Sequence, residues 1–162
     1  FDKLCYPGDS IKEVYKDDIL VGYRWYDTKK IPTLFSFGHG LSYTTFAYGK
    51  PQLSSKVITE GGKLTVSIPV KNTGRVSGKE VVQVYLGDEK CSVLRPLKEL
   101  KAFQKLELAQ GEEKLVPFTI SVDDLKFYDE AKQDWKAEAG KFKVYIGSSS
   151  TDIRQTTEFE LQ

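Results

Sequence analysis

The sequence predicts an all-β protein, an antiparallel β-sandwich with an extended N-terminal arm. Three observations support this fold class. Short segments after residue 45 alternate apolar and polar side chains, glycine-rich turns separate them, and the preceding residues lack a sustained helical or strand period. About seven such strands over about 115 residues are typical of a sandwich. We therefore expect residues 46–162 to form the sandwich and residues 1–45 to lie across it as an arm.

The strand predictions rest on side-chain patterns. The segment LTVSIPV at 64–70 has the period of two that places one face of a strand in a core. Pro69 has no N–H to donate to a ladder, so this strand is predicted to lie at a sheet edge or to carry a bulge. The β-branched and aromatic run VVQVYL at 81–86 predicts a central strand. Further strands are predicted at 100–108, 114–120, 141–146 and 156–161.

One helical turn is expected within the sandwich. Ser121 and Asp124 have the spacing of a capping box, which predicts a single turn through Leu125. The following segment, 127–135, is predicted to be a loop or a short strand that carries aromatic side chains. Glycine-containing turns separate the strands, at 61–62, 72–78, 111 and 147–150.

Composition argues against several function classes. Lysine and arginine number 24 against 23 aspartates and glutamates, for a formal net charge of +1, which argues against a nucleic-acid surface as the main role. No apolar run approaches the ~18 residues that a membrane span needs. The chain begins at Phe1 and contains no methionine, so we expect a processed protein or a piece of a larger one. Cys5 and Cys91 are too few for a disulfide framework, and we favour two unpaired thiols.

The segment FSFGHGLSYTTF at 35–46 holds the only histidine, His39, between two glycines. An imidazole can act as a base, a metal ligand or a hydrogen-bond donor to a substrate. A metal site needs several ligands, and this segment supplies one, so we expect no metal. We favour a tight turn in which the ring nitrogens of His39 bind backbone carbonyls. A place at the rim of a larger protein's active site is the alternative.

Six segments follow one another along the chain, and their order makes the set more specific than any one of them. They are VGYRWYD at 21–27, FSFGHGLSYTTF at 35–46, VKNTGRVSGKEVVQVYL at 70–86, RPLKELKAFQKLEL at 95–108, DLKFYD at 124–129 and GKFKVYIGSSSTDIR at 140–154. The set resembles the C-terminal end of family 3 glycoside hydrolases, which include many β-glucosidases and β-xylosidases. The first two segments resemble the end of that family's α/β sandwich domain. The others resemble its fibronectin type III-like domain, an immunoglobulin-like antiparallel sandwich.

The resemblance implies a parent enzyme that removes terminal β-linked sugars with retention, through a covalent intermediate and without a cofactor. In that family the nucleophilic aspartate lies in an N-terminal barrel domain, and the acid/base carboxylate lies in the middle domain. Both would precede Phe1, so the chain alone is expected to be non-catalytic. Its expected partners are the upstream catalytic domains of the same polypeptide, which it would support, and it would line the approach to their active site. The residues themselves leave the compartment open, and the resemblance is compatible with a periplasmic or secreted parent.

The charged residues of the arm are expected to be structural. Adjacent aspartates in an extended segment point to opposite sides, so Asp17 and Asp18 fit a solvated surface better than a catalytic pair. Asp27 is expected to bond to nearby backbone or to Arg24, and the ordinary role of Arg24 and Arg95 is an interdomain salt bridge. The candidates for an interdomain surface or an active-site rim are Arg24, Trp25, Tyr26, Asp27 and His39.

The aromatic rings leave two interpretations open. Flat rings suit the faces of sugars, and Trp135 is the sugar-stacking candidate, so a carbohydrate-binding module with its own affinity for oligosaccharides is the alternative function. We favour a packing role for both sets of rings. Trp135 would lie at the rim of a strand, and the arm's rings would pack against the sandwich or the upstream domain. Any apolar patch left near the arm would promote self-association of the isolated chain. The arm's rings are Tyr23, Trp25, Tyr26 and Tyr43.

Overall fold

The computed structural model describes residues 11–12, 14–16 and 18–162, and two packed β-sheets dominate this part of the chain. The first sheet contains β1 (Phe46–Tyr48), β2 (Gln52–Leu53), β4 (Lys63–Asn72) and β7 (Glu113–Ser121). The second has the order β3 (Val57–Ile58), β11 (Ile153–Leu161), β10 (Gly140–Gly147), β5 (Gly78–Asp88) and β6 (Glu99–Leu108). The strands pair antiparallel except β3 with β11. The prediction of an all-β sandwich is confirmed.

Three smaller elements complete the described chain. A short hairpin pairs β8 (Phe127–Asp129) with β9 (Asp134–Lys136). A 3₁₀ turn spans Val122–Leu125 and has the predicted capping box, in which the Ser121 N–H and hydroxyl donate to Asp124 Oδ2 at 2.8 and 2.7 Å. The helix α1 (Tyr23–Lys29) precedes the sandwich. No described helix is long and apolar enough to cross a bilayer.

The core lies between the two sheets and is built from alternate residues of the long strands. β4 buries every second side chain toward the opposite sheet, and the Phe142 and Phe159 rings stack across β10 and β11 with centroids 5.6 Å apart. Each fully buried side chain of this kind stabilises the fold by about 1.5–3 kcal/mol. Fully buried core members include Leu64, Val66, Ile68, Val70, Val82, Val84, Leu108, Val144 and Ile146.

The prediction for Pro69 was wrong, because β4 lies inside its sheet and keeps an unbroken register with β7. The other side of β4 is shared by β1 and β2, and Pro69 lies opposite the junction between them. Its carbonyl accepts the Gly49 N–H there, at 2.8 Å. The N–H and C=O of one residue in an antiparallel strand face the same neighbour. The missing N–H of Pro69 therefore faces this junction, where the ladder is already interrupted.

The arm differs from the expectation of an extended chain, because residues 23–29 are helical. Gly22 precedes α1 with a φ of 61°, and Lys30 ends it in the left-handed region. None of its side chains is fully buried, so it lacks the apolar stripe by which a surface helix is recognised in a sequence. Residues 1–10, 13 and 17 lie outside the described residues, and with them Cys5 and Asp17. Cys91 carries a free thiol.

The core predicts a clear contrast between two neighbouring strands. Ile68→Ala removes a side chain that is 0% exposed, whereas Leu115→Ala removes one on the outer face of β7 that is 58% exposed. We expect Ile68→Ala to lower the free energy of unfolding by about 2–5 kcal/mol and Leu115→Ala to change it much less. Urea denaturation of both variants measures this. Equal losses would contradict the assignment of the core.

Candidate functional site

The arm covers the outer face of β5 at Gln83 and Tyr85. Strand alternation turns these two side chains away from the core, yet they are 4% and 0% exposed. The Tyr23 ring stacks on Phe37 with centroids 4.4 Å apart and meets the Tyr85 ring edge-on at 6.0 Å. Burial raises the pKa of the Tyr85 hydroxyl, which therefore stays protonated and acts as a donor. The arm thus forms a third layer over one strand of the sandwich.

Gln83 links the arm to the sheet through its amide. Its Nε2 donates to the carbonyl oxygens of Gly38, at 3.2 Å, and Ser148, at 2.5 Å. Its Oε1 accepts the Tyr85 hydroxyl at 2.5 Å. Gly38 has a φ of 79°, and a Cβ at this position would overlap the Gln83 amide. The first glycine of the sequence FGHG is therefore required both by its backbone conformation and by the closeness of Gln83.

Backbone groups on both sides of β5 also bind the arm. The Leu97 N–H donates to the Thr28 hydroxyl at 2.9 Å, and the Leu100 N–H donates to the Tyr23 hydroxyl at 2.8 Å. On the other side, the Ser150 N–H donates to the Phe37 carbonyl at 2.9 Å. These contacts fix the position of the arm along the sheet.

A network of ion pairs joins α1 to the chain around β6. Asp27 Oδ2 lies 2.8 Å from Lys98 Nζ, and the two side chains are 9% and 8% exposed. Arg24 Nε lies 3.6 Å from Glu99 Oε1, and Glu99 Oε2 binds Arg95 at 3.1 Å. The expected bond from Asp27 to nearby backbone or to Arg24 is not found among the described residues, because Asp27 pairs with Lys98 and Arg24 pairs with Glu99. The interdomain candidates Arg24 and Asp27 are therefore occupied within this chain.

His39 does not hold its turn in the predicted way. Its ring is exposed and lies 5.5 Å from the Phe35 ring, and the structure shows no bond from the ring to a backbone carbonyl of the described residues. The backbone closes the turn instead, since the His39 N–H donates to the Ser36 carbonyl at 3.0 Å. The Ser36 hydroxyl in turn donates to that of Ser149 at 3.0 Å. The imidazole itself is directed to solvent.

The outward side of the arm is apolar. We define the outer arm patch as Leu34, Phe35, Leu41 and Tyr43, which are 97%, 75%, 93% and 101% exposed. Tyr26, at 43%, is also exposed, whereas Trp25 is half-buried, with the Lys29 ammonium 5.3 Å from its ring centroid. The apolar surface expected near Tyr23–Tyr26 therefore lies mainly at residues 34–43.

Trp135 lies in the β8–β9 hairpin and is not brought together with the arm candidates. Its side chain is 61% exposed and meets the Tyr128 ring edge-on at 5.8 Å. Glu138, next to this hairpin, accepts the Ser92 N–H and hydroxyl at 2.9 and 2.5 Å and lies 3.0 Å from Lys136 Nζ. The two bonds from Ser92, followed by Lys136, lower the pKa of Glu138 to about 2. Glu138 thus joins the hairpin to the loop after β5.

Sequence reasoning missed the sandwich residues that hold the arm. Gln83 offered one indication, since it is the only amide side chain in the otherwise β-branched, aromatic and aliphatic run VVQVYL. Lys98 and Glu99 offered none, because charged residues in the segment RPLKELK are ordinary on a surface. Their role depends on residues that are distant in sequence.

The buried ion pair predicts a strong effect of one substitution. Asp27→Asn leaves the Lys98 ammonium buried without its counter-charge, so we expect a loss of about 3–5 kcal/mol in the free energy of unfolding. Asp123→Asn removes the partner of Lys126 at a side chain that is 81% exposed, and it should have little effect. The double variant Asp27→Leu, Lys98→Met should recover most of the loss. Equal stability of Asp27→Asn and the parent in urea would rule out this role for the pair.

The lowered pKa of Glu138 predicts that the fold loses stability at acid pH. Because its folded pKa of about 2 lies below the ordinary glutamate value of 4.5, the contribution of Glu138 to stability is complete above the unfolded pKa and is lost as the pH falls from 4.5 toward 2. Glu138→Gln should therefore lower the melting temperature at pH 7, and the difference from the parent should close over that acid range. Ser92→Ala removes the hydroxyl that binds Glu138 and helps to lower its pKa. The loss of stability between pH 4.5 and pH 2 should therefore be smaller in this variant. A difference that is constant from pH 7 to pH 2 would contradict this assignment.

Comparison with known proteins agrees with this architecture. A family model described as the fibronectin type III-like domain matches residues 80–150. β-Glucosidase BoGH3A of Bacteroides ovatus is 58% identical over 160 residues, which are 99% of this chain and 21% of that protein. The solved structure of DesR, a β-glucosidase from Streptomyces venezuelae in complex with D-glucose, has a TM-score of 0.90 at 38% identity and covers 99% of this chain and 20% of that one.

A second solved structure, the GH3 β-glucosidase of Bifidobacterium adolescentis, has a TM-score of 0.89 at 35% identity and covers 98% of this chain and 23% of that one. The chain therefore spans about a fifth of the length of the relatives it matches. Both the arm and the sandwich lie within these matches. The chain belongs with the family 3 glycoside hydrolases, in which it corresponds to a segment built on a fibronectin type III-like domain.

Proposed function

We propose that this chain is a non-catalytic accessory region of a family 3 β-glucosidase, in which the sandwich supports upstream catalytic domains. Residues 1–45 would complete the preceding α/β domain, and residues 46–162 would form the accessory domain. The parent reaction is the retaining hydrolysis of terminal β-linked sugars. The proposal takes the parent activity from the relatives, which are named as β-glucosidases. In this proposal the arm connects the upstream catalytic domains to the sandwich.

One observation carries the proposal, namely the two-sided character of the arm. Its inner side is fixed to the sandwich by Tyr23, Asp27 and Gly38. Its outer side presents the outer arm patch, whose Leu34, Leu41 and Tyr43 are almost fully exposed. Large exposed apolar side chains gathered on one short segment favour an interaction site. An upstream domain seated on the outer arm patch would cover it, and in the isolated chain the same surface would favour self-association.

The carboxylates around the arm support a structural role. Retaining hydrolysis needs two carboxyl groups about 5–5.5 Å apart on either side of the scissile bond. At this junction Asp27 pairs with Lys98, Asp88 lies 3.5 Å from Arg95, and Glu99 is shared by several cations. Carboxylates engaged in this way hold parts of the protein together. We therefore propose that the catalytic pair of the parent lies in the upstream domains.

The outer arm patch provides the test. In the longer polypeptide, Leu34→Gln with Leu41→Gln should remove about 1.5–3 kcal/mol of stabilisation for each leucine buried against the upstream domain. We expect a lower melting temperature and faster thermal loss of aryl β-glucosidase activity. The same pair of substitutions in the isolated chain should leave its melting temperature unchanged, because both side chains are exposed there.

Leu115→Gln is the matched control, since this leucine is 58% exposed on the outer face of the other sheet. It should leave the longer polypeptide unaffected. The isolated chain should release no nitrophenol from an aryl β-glucoside. Hydrolysis by the pure isolated chain, or equal effects of the patch and control substitutions, would refute the proposal.

A further inference from the structure

A groove lies beside the β8–β9 hairpin, away from the described part of the arm. Its volume is about 630 Å³, within the range of about 300–1,000 Å³ that small-molecule sites occupy. The turn at 60–63, the capped turn at 121–126 and the strand end at 135–139 form its walls, together with Leu161 and Gln162. Four separate parts of the chain therefore converge on one open cleft.

Trp135 gives this groove an aromatic platform. The indole is 61% exposed although it belongs to a paired strand opposite Tyr128. The two rings meet at 69°, so Tyr128 supports Trp135 edge-on and leaves much of the indole uncovered. Lys136 Nζ lies 2.9 Å from Asp129 Oδ2 across the hairpin and 3.0 Å from Glu138 Oε1. The ring is thus presented by a fixed element, which lowers the entropic cost of binding.

The charges around the groove indicate the class of ligand. Lys126 Nζ is paired with Asp123 at 2.6 Å, and Lys136 is paired with Asp129 and Glu138. These cations are already paired, and the other two charged side chains of the lining, Glu60 and Lys63, have opposite signs, so the groove has little excess charge for an anion. The remaining wall alternates small apolar groups, at Val122 and Ala137, with hydrogen-bonding groups. A neutral ligand that has both an apolar face and many hydroxyl groups matches this lining.

We propose that this groove binds a neutral oligosaccharide, with one pyranose ring stacked on Trp135. The ring's C–H face would lie on the indole, an amphipathic aromatic surface. Its hydroxyl groups would exchange hydrogen bonds with Asp123 and Lys126 at the capped turn. This inference is independent of the proposed accessory role, because none of the arm residues that the structure describes lines the groove.

Titration of the chain with cellotriose tests the proposal. We expect a Kd on the order of 1 mM by calorimetry, because a single aromatic platform in an open cleft gives weak binding. Trp135→Ala should weaken binding about tenfold or more, and Trp135→Phe should retain part of it. The control is Phe103→Ala, which removes a side chain that is 68% exposed on β6 and should leave the Kd unchanged.

The results of the cellotriose titration can be distinguished from those of the test of the accessory role. Chemical shifts of the Trp135 indole N–H should move with added cellotriose, and the Leu34→Gln, Leu41→Gln variant should bind the sugar normally. No binding at concentrations about ten times the expected Kd, or equal binding by Trp135→Ala with a normal melting temperature, would overturn the proposal. Tighter binding of an anionic oligosaccharide of the same length would overturn the assignment of a neutral ligand.

Discussion

The arrangement of this molecule depends on the burial of one strand from both sides. Sandwich strands ordinarily bury one face and leave the other in water, but β5 buries Val82 and Val84 in the core and Gln83 and Tyr85 under the arm. The second burial is polar, and it requires that each buried group find a partner. Gln83 meets this requirement with three bonds of its amide, and these bonds require the arm to pass at one fixed place.

The ion pairs at α1 contribute position more than stability. Removing Asp27 and Lys98 from water costs free energy that their attraction only partly returns, and an apolar pair of similar size is often as stable. The charges instead favour one position of the arm over others, because a shifted arm would leave the buried Lys98 ammonium without the Asp27 carboxylate. Tyr23 and Thr28 act in the same direction, since each accepts one particular backbone N–H. The contacts together define a single register for the arm.

Much of the sandwich could be predicted from the sequence, because strand alternation and capping are local. The segments at 64–70 and 81–86 and the Ser121–Asp124 box all formed as their patterns indicate. The helix α1 could not be predicted, since it has no buried apolar stripe of its own and its contacts come from the distant β6 region. Pro69 was misplaced because two short strands share one side of β4. The partner of Asp27 was missed for the same reason as α1, since it lies far away in the sequence.

The hydroxyl groups of Tyr23 and Thr28 have a further consequence. β6 is the last strand of its sheet, and a terminal strand offers unpaired N–H groups on which another chain can add a strand of its own. The arm occupies two such donors, at Leu100 and just before β6 at Leu97, with side chains that cannot continue a ladder. At the start of β6 the arm therefore takes the place that a further strand could occupy, and a sandwich separated from it would leave the Leu97 and Leu100 N–H groups without these partners.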